Sequence, residues 1–179
     1  GHRWRRRVLD PATTVALFTL QVLHGNVACR AVRHLAGMDF SVTAYANARM
    51  RLPVELFARL AWELAWSARQ RNDGFGRWRG HRVLLIDGSG LSMPDTPQLQ
   101  RAFGQPGRQL PGCGFPVMHV VWLFDAASGL IVDLVHGRWN THDLADASKL
   151  HPMLNEGDVL VGDRGFCSYA HLALLASQQ

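Results

Sequence analysis

Three cysteines, a single lysine and no apolar run of membrane-spanning length are the first absences in this 179-residue chain. Cys29, Cys113 and Cys167 are odd in number and lack a C-x-x-C spacing. Neither a disulfide framework nor a zinc site is indicated, and they read as reduced thiols. The longest apolar stretches, Val15 to Leu23 and Val117 to Phe124, fall far short of the roughly 20 residues a membrane helix needs, so no membrane partner is expected. Arg5, Arg6 and Arg7 imitate the start of a signal peptide. Against that, Asp10 and Pro11 separate them from the apolar run, Thr19 and Gln21 interrupt it, and no small-x-small cleavage site precedes Cys29. A cytoplasmic location is expected. Repeats and low-complexity segments are absent, and a hydrophobic content of 47% excludes intrinsic disorder. A first residue that is Gly, and a last segment that reaches Gln179 without a stop signal, give the look of a piece of a longer chain.

What is present is unevenly charged. Residues 1–80 carry 13 Arg against 5 acids, whereas residues 81–179 carry 5 Arg and 1 Lys against 9 acids. A basic arm beside a mildly acidic half suits a protein that holds a polyanion with one part and does carboxylate chemistry with the other.

The first half reads as helices. Asp10 and Pro11 make an N-cap and first turn, with Val15, Phe18 and Val22 on one face and Gly25 as the stop. Asn26 is expected to cap a second helix ended by Gly37, and Ser41 a third that runs to about Met50. The short turn between them gives a helix-turn-helix layout in which the later helix offers Thr43, Asn47, Arg49 and Arg51 to DNA. Plain packing of a helix pair is the competing reading. Pro53 opens a fourth helix with Val54, Phe57, Leu60, Ala61 and Leu64 in a stripe, and Trp62 and Trp66 at a core or domain interface. The expected organisation is a basic helical DNA-binding region over 1–71, a Gly-rich linker over 72–80, and an α/β domain over 81–179.

After the linker the period changes. Arg82 to Asp87 reads as a buried strand ending in an acid, with Gly88, Ser89 and Gly90 as its exit turn. Leu91 to Gly114 reads as a long loop with one helical turn near Gln98 to Phe103. Pro116 to Phe124 and Leu130 to Val135 form a hairpin. A helix capped by Asn140 or Thr141 leads to a strand over Asp158 to Val161 that ends near a second acid, Asp163, and Ser168 caps a last helix. The first and fourth strands can lie parallel and adjacent. Carboxylates carried at such neighbouring positions, about 4.8 Å apart between strands, can share divalent ions, and hard Mg2+ or Mn2+ suits oxygen ligands. An Asp at a strand end also commonly caps the next turn.

The segments Leu85-Ile86-Asp87-Gly88-Ser89, Pro94-Asp95-Thr96, Ala102-Phe103-Gly104 and Gly162-Asp163-Arg164-Gly165-Phe166 resemble the DDE transposases of bacterial insertion sequences, specifically the insertion-sequence-4 type. Leu20 to Asn26 and Ser41 to Tyr45 with Ala48-Arg49 are similar to the helical N-terminal region of that group. The resemblance implies an N-terminal helical region followed by a truncated ribonuclease-H-like mixed sheet with flanking helices. It also implies Mg2+ or Mn2+ as cofactor, double-stranded DNA at insertion-sequence ends as partner, a homodimer when assembled on DNA, and a nucleoid-associated place in the cytoplasm. By it, Asp87 and Asp163 match the first two catalytic and metal-binding aspartates, Arg164 is placed to hold a phosphate, and Asp143 matches an acid at the start of the following helix. The family's third carboxylate is a downstream Glu, whereas residues 164–179 contain no Asp or Glu and Glu55, Glu63 and Glu156 all precede Asp163. The expectation is a transposase fragment that cannot turn over alone. The alternative is an inert DNA-binding repressor of transposition. A haloacid-dehalogenase-like phosphatase fails because position 89 is Ser and position 167 is Cys.

Overall fold

The computed structural model describes residues 8–71, 75–107, 110 and 114–177. Arg5 to Arg7, Cys113, the start of the expected linker and Gln179 lie outside them. The chain divides into two compact units, Gly1–Phe57 and Ala58–Gln179.

In the first unit, α1 (Pro11–Leu23) starts where Asp10 accepts a hydrogen bond from the Thr13 N–H. Its buried face is Thr14, Leu17 and Gln21 rather than Val15, Phe18 and Val22. Gln21 is buried because its amide is fully used: Nε2 donates to the Val27 carbonyl at 2.6 Å, and Oε1 accepts from the Tyr45 hydroxyl and from Arg49 Nη1, both at 2.9 Å. A satisfied amide costs little to bury, so a polar residue holds the seam that hydropathy alone gives to Phe18. Helix α2 (Cys29–Ala36) is not capped by Asn26, which instead occupies the left-handed region at φ 57 beside Gly25. Both residues are spent on the turn out of α1. Helix α3 (Val42–Met50) is capped by Ser41 as expected. Leu17, Val32, Phe40 and Tyr45 form the core of this unit. Helix α4 (Val54–Arg71) crosses from one unit into the other, and none of its residues is buried, so the expected stripe is not a core face. Trp62 and Trp66 stack on each other with centroids 5.8 Å apart and stay about half exposed.

The second unit is built on a four-stranded sheet: β1 (Val83–Ser92), β2 (Val117–Asp125), β3 (Ile131–Arg138) and β4 (Val159–Gly162). The strand order is β3-β2-β1-β4, with β1–β2 and β2–β3 antiparallel and β1–β4 parallel. This is the mixed sheet with flanking helices that the sequence leads one to expect. Leu84, Ile86, Val121 and Leu123 project from one face and bury against Ala147, Leu150 and Phe166. The hairpin and the parallel β1–β4 pair fall where the alternation places them. The exit turn at Gly88–Gly90 does not: β1 runs on to Ser92, so Asp87 sits within the strand rather than at its end. Glycine there marks close approach, since a Cβ on Gly88 would lie 2.9 Å from the Asp143 carboxyl carbon. The expected loop contains α5 (Pro97–Phe103), and the helix expected from Thr141 to Pro152 is α6 (Asp143–Ala147) followed by a 3-10 helix (Ser148–Met153). Ser168 caps α7 (Tyr169–Ala176).

Trp78 and His81 exchange two backbone hydrogen bonds, at 3.0 and 2.9 Å, around Arg79 (φ 50) and Gly80 (φ 87). Two positive φ values make this a type I′ turn, whose first central position ordinarily holds Asn, Asp or Gly. Arginine there costs about 1–2 kcal/mol. Its guanidinium lies 5.0 Å from the Trp78 ring, worth about 0.5–1 kcal/mol at an exposed site, which does not offset the strain.

His151 and His171 are both buried, their Nε2 atoms 2.8 Å apart. His171 Nδ1 donates to the Phe166 carbonyl at 2.7 Å, so in the neutral ring its Nε2 accepts and His151 donates. Burial, with the neighbouring His171, holds His151 below the ordinary imidazole range. The fold therefore favours the neutral ring. Its stabilising contribution is full above the unfolded value of about 6.5 and is lost as pH falls through the lower folded value. The urea midpoint should drop between pH 7 and pH 5, and His151→Leu should flatten that slope; an unchanged slope would assign it elsewhere.

Candidate functional site

The register places the two aspartates. Ile86 of β1 pairs with Gly162 of β4, and Asp87 and Asp163 are each the next residue along parallel neighbouring strands. Ile86 is buried and Asp87 exposed, so the carboxylate lies on the face opposite the core. Asp87 Oδ1 accepts from the Gly88 N–H at 2.9 Å, and Asp163 Oδ1 from the Gly165 N–H at 2.7 Å. The remaining oxygen of each has no hydrogen bond among the described residues. Asp163 also caps the 3-10 turn Arg164–Phe166, so capping and the site reading coincide in one residue.

The Gly-Asp-Arg-Gly-Phe segment has a physical account. A Cβ on Gly162 would fall 2.8 Å from Ile86 Cγ2 and 3.2 Å from the Phe166 ring, and one on Gly165 would fall 2.9 Å from Asp163 Oδ1. Phe166 is buried in the core. The two glycines thus let the phenyl ring fold under the strand end while the carboxylate stays outside. Arg164 is exposed and forms no ion pair among the described residues.

A second polar cluster lies on the core face. His119 Nε2 is 2.6 Å from Asp143 Oδ1 and its Nδ1 is 3.3 Å from Asp146 Oδ2, while Lys149 Nζ donates to Asp146 Oδ1 at 2.6 Å. Asp146 is fully buried. The sequence offers no site role for His119 or Asp146 through a local motif. What signal there is lies in the i, i+3 acid pair opening α6, together with glycines on two strands: a Cβ on Gly137 of β3 would lie 3.0 Å from Asp146 Oδ2, as one on Gly88 would meet Asp143.

Among the residues proposed to face DNA, Thr43, Asn47 and Arg51 are exposed and recur every four positions along α3 and its C-terminal cap. Arg49 is turned inward, bonded to Gln21 and lying 4.6 Å from the Phe18 ring. Asp95 neither caps a turn nor meets another acid. It accepts from Gln100 Nε2, and Thr96 caps α5.

The donor set of Asp87 and Asp163 consists of hard carboxylate oxygens, one within β1 and one just past the end of β4, which fits Mg2+ or Mn2+ rather than a soft metal. The set is small: among the described residues no group of three or more His, Cys, Asp or Glu is arranged to hold a metal ion. None of the described helices is long and apolar enough to cross a membrane.

Residues 78–179 match the family model described as the transposase DDE domain, and the chain belongs to that family. No curated protein sequence matches it. Similar solved structures include the Mos1 transposase paired-end complex with left transposon end, at 11% identity and a TM-score of 0.35, covering 100% of this chain and 60% of that one. The mariner Mos1 paired end complex with Mg is similar at 13% identity and a TM-score of 0.34, again covering 100% and 60%. The corresponding complex with Mn has 13% identity, a TM-score of 0.35 and coverages of 99% and 59%. The chain thus spans about 60% of the length of those chains.

Proposed function

We propose that this chain is the N-terminal and central part of an insertion-sequence-4-type transposase, which in its intact form cleaves and joins DNA strands at insertion-sequence ends. The observation that carries the reading is the placement of Asp87 and Asp163 one residue beyond a matched pair on adjacent parallel strands, within the segment that matches the transposase DDE domain. Asp87 and Asp163 would hold Mg2+ or Mn2+ through their unshared oxygens. When bound, such an ion supplies charge stabilisation and an activated oxygen nucleophile for phosphodiester chemistry. Arg164, exposed beside Asp163, would neutralise a phosphate oxygen and position the strand. The face of Asp87 opposite the core stays open to solvent, so a DNA backbone can reach it without repacking the sheet.

The first unit supplies the grip on double-stranded DNA. Thr43, Asn47 and Arg51 form its outward stripe, while Arg49 supports that stripe by locking α3 to Gln21 and Phe18. Two copies meet on paired ends, as a dimer assembled on DNA, in the nucleoid. Because residues 164–179 hold no acid, the chain has two of the three carboxylates and is inactive alone.

DNA binding by the full chain should fall with salt at a log-log slope of several units, about 0.9 per phosphate neutralised. Arg51→Ala should lower that slope by about one. Arg49→Ala should weaken binding together with the thermal midpoint, because it removes a packing residue. Binding that ignores salt would sink the electrostatic part of the reading.

A further inference from the structure

The type I′ turn ahead of β1 is held at several points. Gly76 packs directly against the β2–β3 turn, where a Cβ would fall 2.4 Å from Ala127 Cβ. The Trp78–His81 bridge closes the turn, Arg77 donates to the Gly80 carbonyl, and His81 Nδ1 donates to the Gly157 carbonyl at 2.7 Å. A turn so well fixed could have hidden its aromatic residues. Instead Phe75 is 71% exposed and Trp78 56% exposed, and a strained Arg79 lies over one face of the indole. Backbone strain that the local contact does not offset points to a use for the displayed pair. The surrounding segment is strongly basic: Arg69, Arg71, Arg77, Arg79 and Arg82 against Asp73 alone, with Arg82 taken by Asp158 and Arg77 engaged within the turn.

We propose that Trp78 and Arg79 form a binding site for an unpaired base of a DNA strand, the indole stacking on the base and the neighbouring guanidinium groups meeting its phosphates. The proposal rests on the DNA-processing reading above. An acidic peptide would satisfy the charge but has no flat apolar face for the ring. A fully paired duplex keeps its base faces stacked on one another, whereas an unpaired or terminal base has a free face. The site is distinct from the carboxylates: β1 begins at Val83, and four residues of strand put Asp87 about 13 Å further along. A strand end captured at Trp78 would be held at one end of β1 while the carboxylates sit beside the middle of that strand.

The test uses the full chain and two duplex oligonucleotides of the same sequence, one blunt and one with a short single-stranded overhang containing 2-aminopurine. Wild type should bind the overhang probe about 10-fold more tightly and quench the 2-aminopurine as it stacks. Trp78→Ala should cost up to about 10-fold on that probe, erasing the preference, and leave blunt-duplex binding within about twofold, while Trp78→Phe keeps most of the preference. Arg79→Gly, which relieves the turn, should raise the thermal midpoint yet lower overhang binding and reduce its salt slope by about one. Equal affinity of wild type for the two probes, binding of neither, or a preference that survives Trp78→Ala would overturn the proposal. A chain that discriminates through Trp78 but fails to bind Mn2+ keeps this site and loses the carboxylate reading. One that binds Mn2+ and ignores the overhang does the reverse.

Discussion

Titration of the 179-residue chain with Mn2+ is expected to give weak binding, with a dissociation constant on the order of a millimolar, and no cutting of DNA ends. Two carboxylates leave most of an octahedral shell to water, and a second ion lacks the charge and oxygens of a third acid. Asp87→Asn or Asp163→Asn should weaken binding by at least about 100-fold, beyond detection, because each removes half of the protein's donor set. Each variant should keep its circular dichroism and urea midpoint, since both side chains are exposed and hydrogen-bond only to backbone N–H groups one or two residues on. Adding a downstream segment that carries a suitably placed Glu should restore strand cleavage. Cleavage by the chain alone, free of host nuclease and lost in Asp87→Asn, would mean that two aspartates suffice.

The largest loss of stability is expected at His119. Its ring joins a half-exposed Asp143 to Asp146, whose side chain is 0% exposed. His119→Leu removes one partner of a buried carboxylate and leaves Lys149 as the other. The cost should be about 1–3 kcal/mol in urea unfolding, because one oxygen of a buried carboxylate is left without its hydrogen-bond partner while Lys149 still holds the other. The double variant His119→Leu with Asp146→Leu should recover more than half of that loss, since Lys149 is 59% exposed and its ammonium can return to water. A single variant within about 0.5 kcal/mol of wild type would show that the cluster is not stabilising.

The sequence displayed much of the second unit. Alternation placed the hairpin, and two short apolar runs ending in acids placed the parallel pair, because a strand buried on one face writes its register into every second residue. The boundary of β1 was hidden by Gly88, Ser89 and Gly90, which look like a turn. Their signal is tertiary: Gly88 is small because Asp143 rests on it, a contact 55 residues away in the chain. The face of α1 was misread for a similar reason, since Gln21 is buried only because Val27, Tyr45 and Arg49 complete its hydrogen bonds. Arg49 looked like a surface cation on a recognition helix, and no local pattern announces that it turns inward to Phe18. In the candidate site, the neighbouring placement of the two aspartates could be read from strand pattern, whereas the His119 cluster joins β2 to α6 across a sheet face whose geometry only the folded chain supplies.

The two aspartates are mounted on parts of the sheet that open on different timescales. Asp87 lies inside a ten-residue strand laddered to β2 on one side and β4 on the other, so its amide neighbourhood should be exposed only by unfolding of the sheet. Asp163 follows a four-residue strand and heads a three-residue 3-10 turn, where fraying is cheap and frequent. A cation held by both would have one loop to order and one fixed post to order it against. Hydrogen exchange would then slow across residues 163–168 on loading and stay constant along β1, and the ion would serve as a clasp on the Gly-Asp-Arg-Gly-Phe loop as much as a reagent.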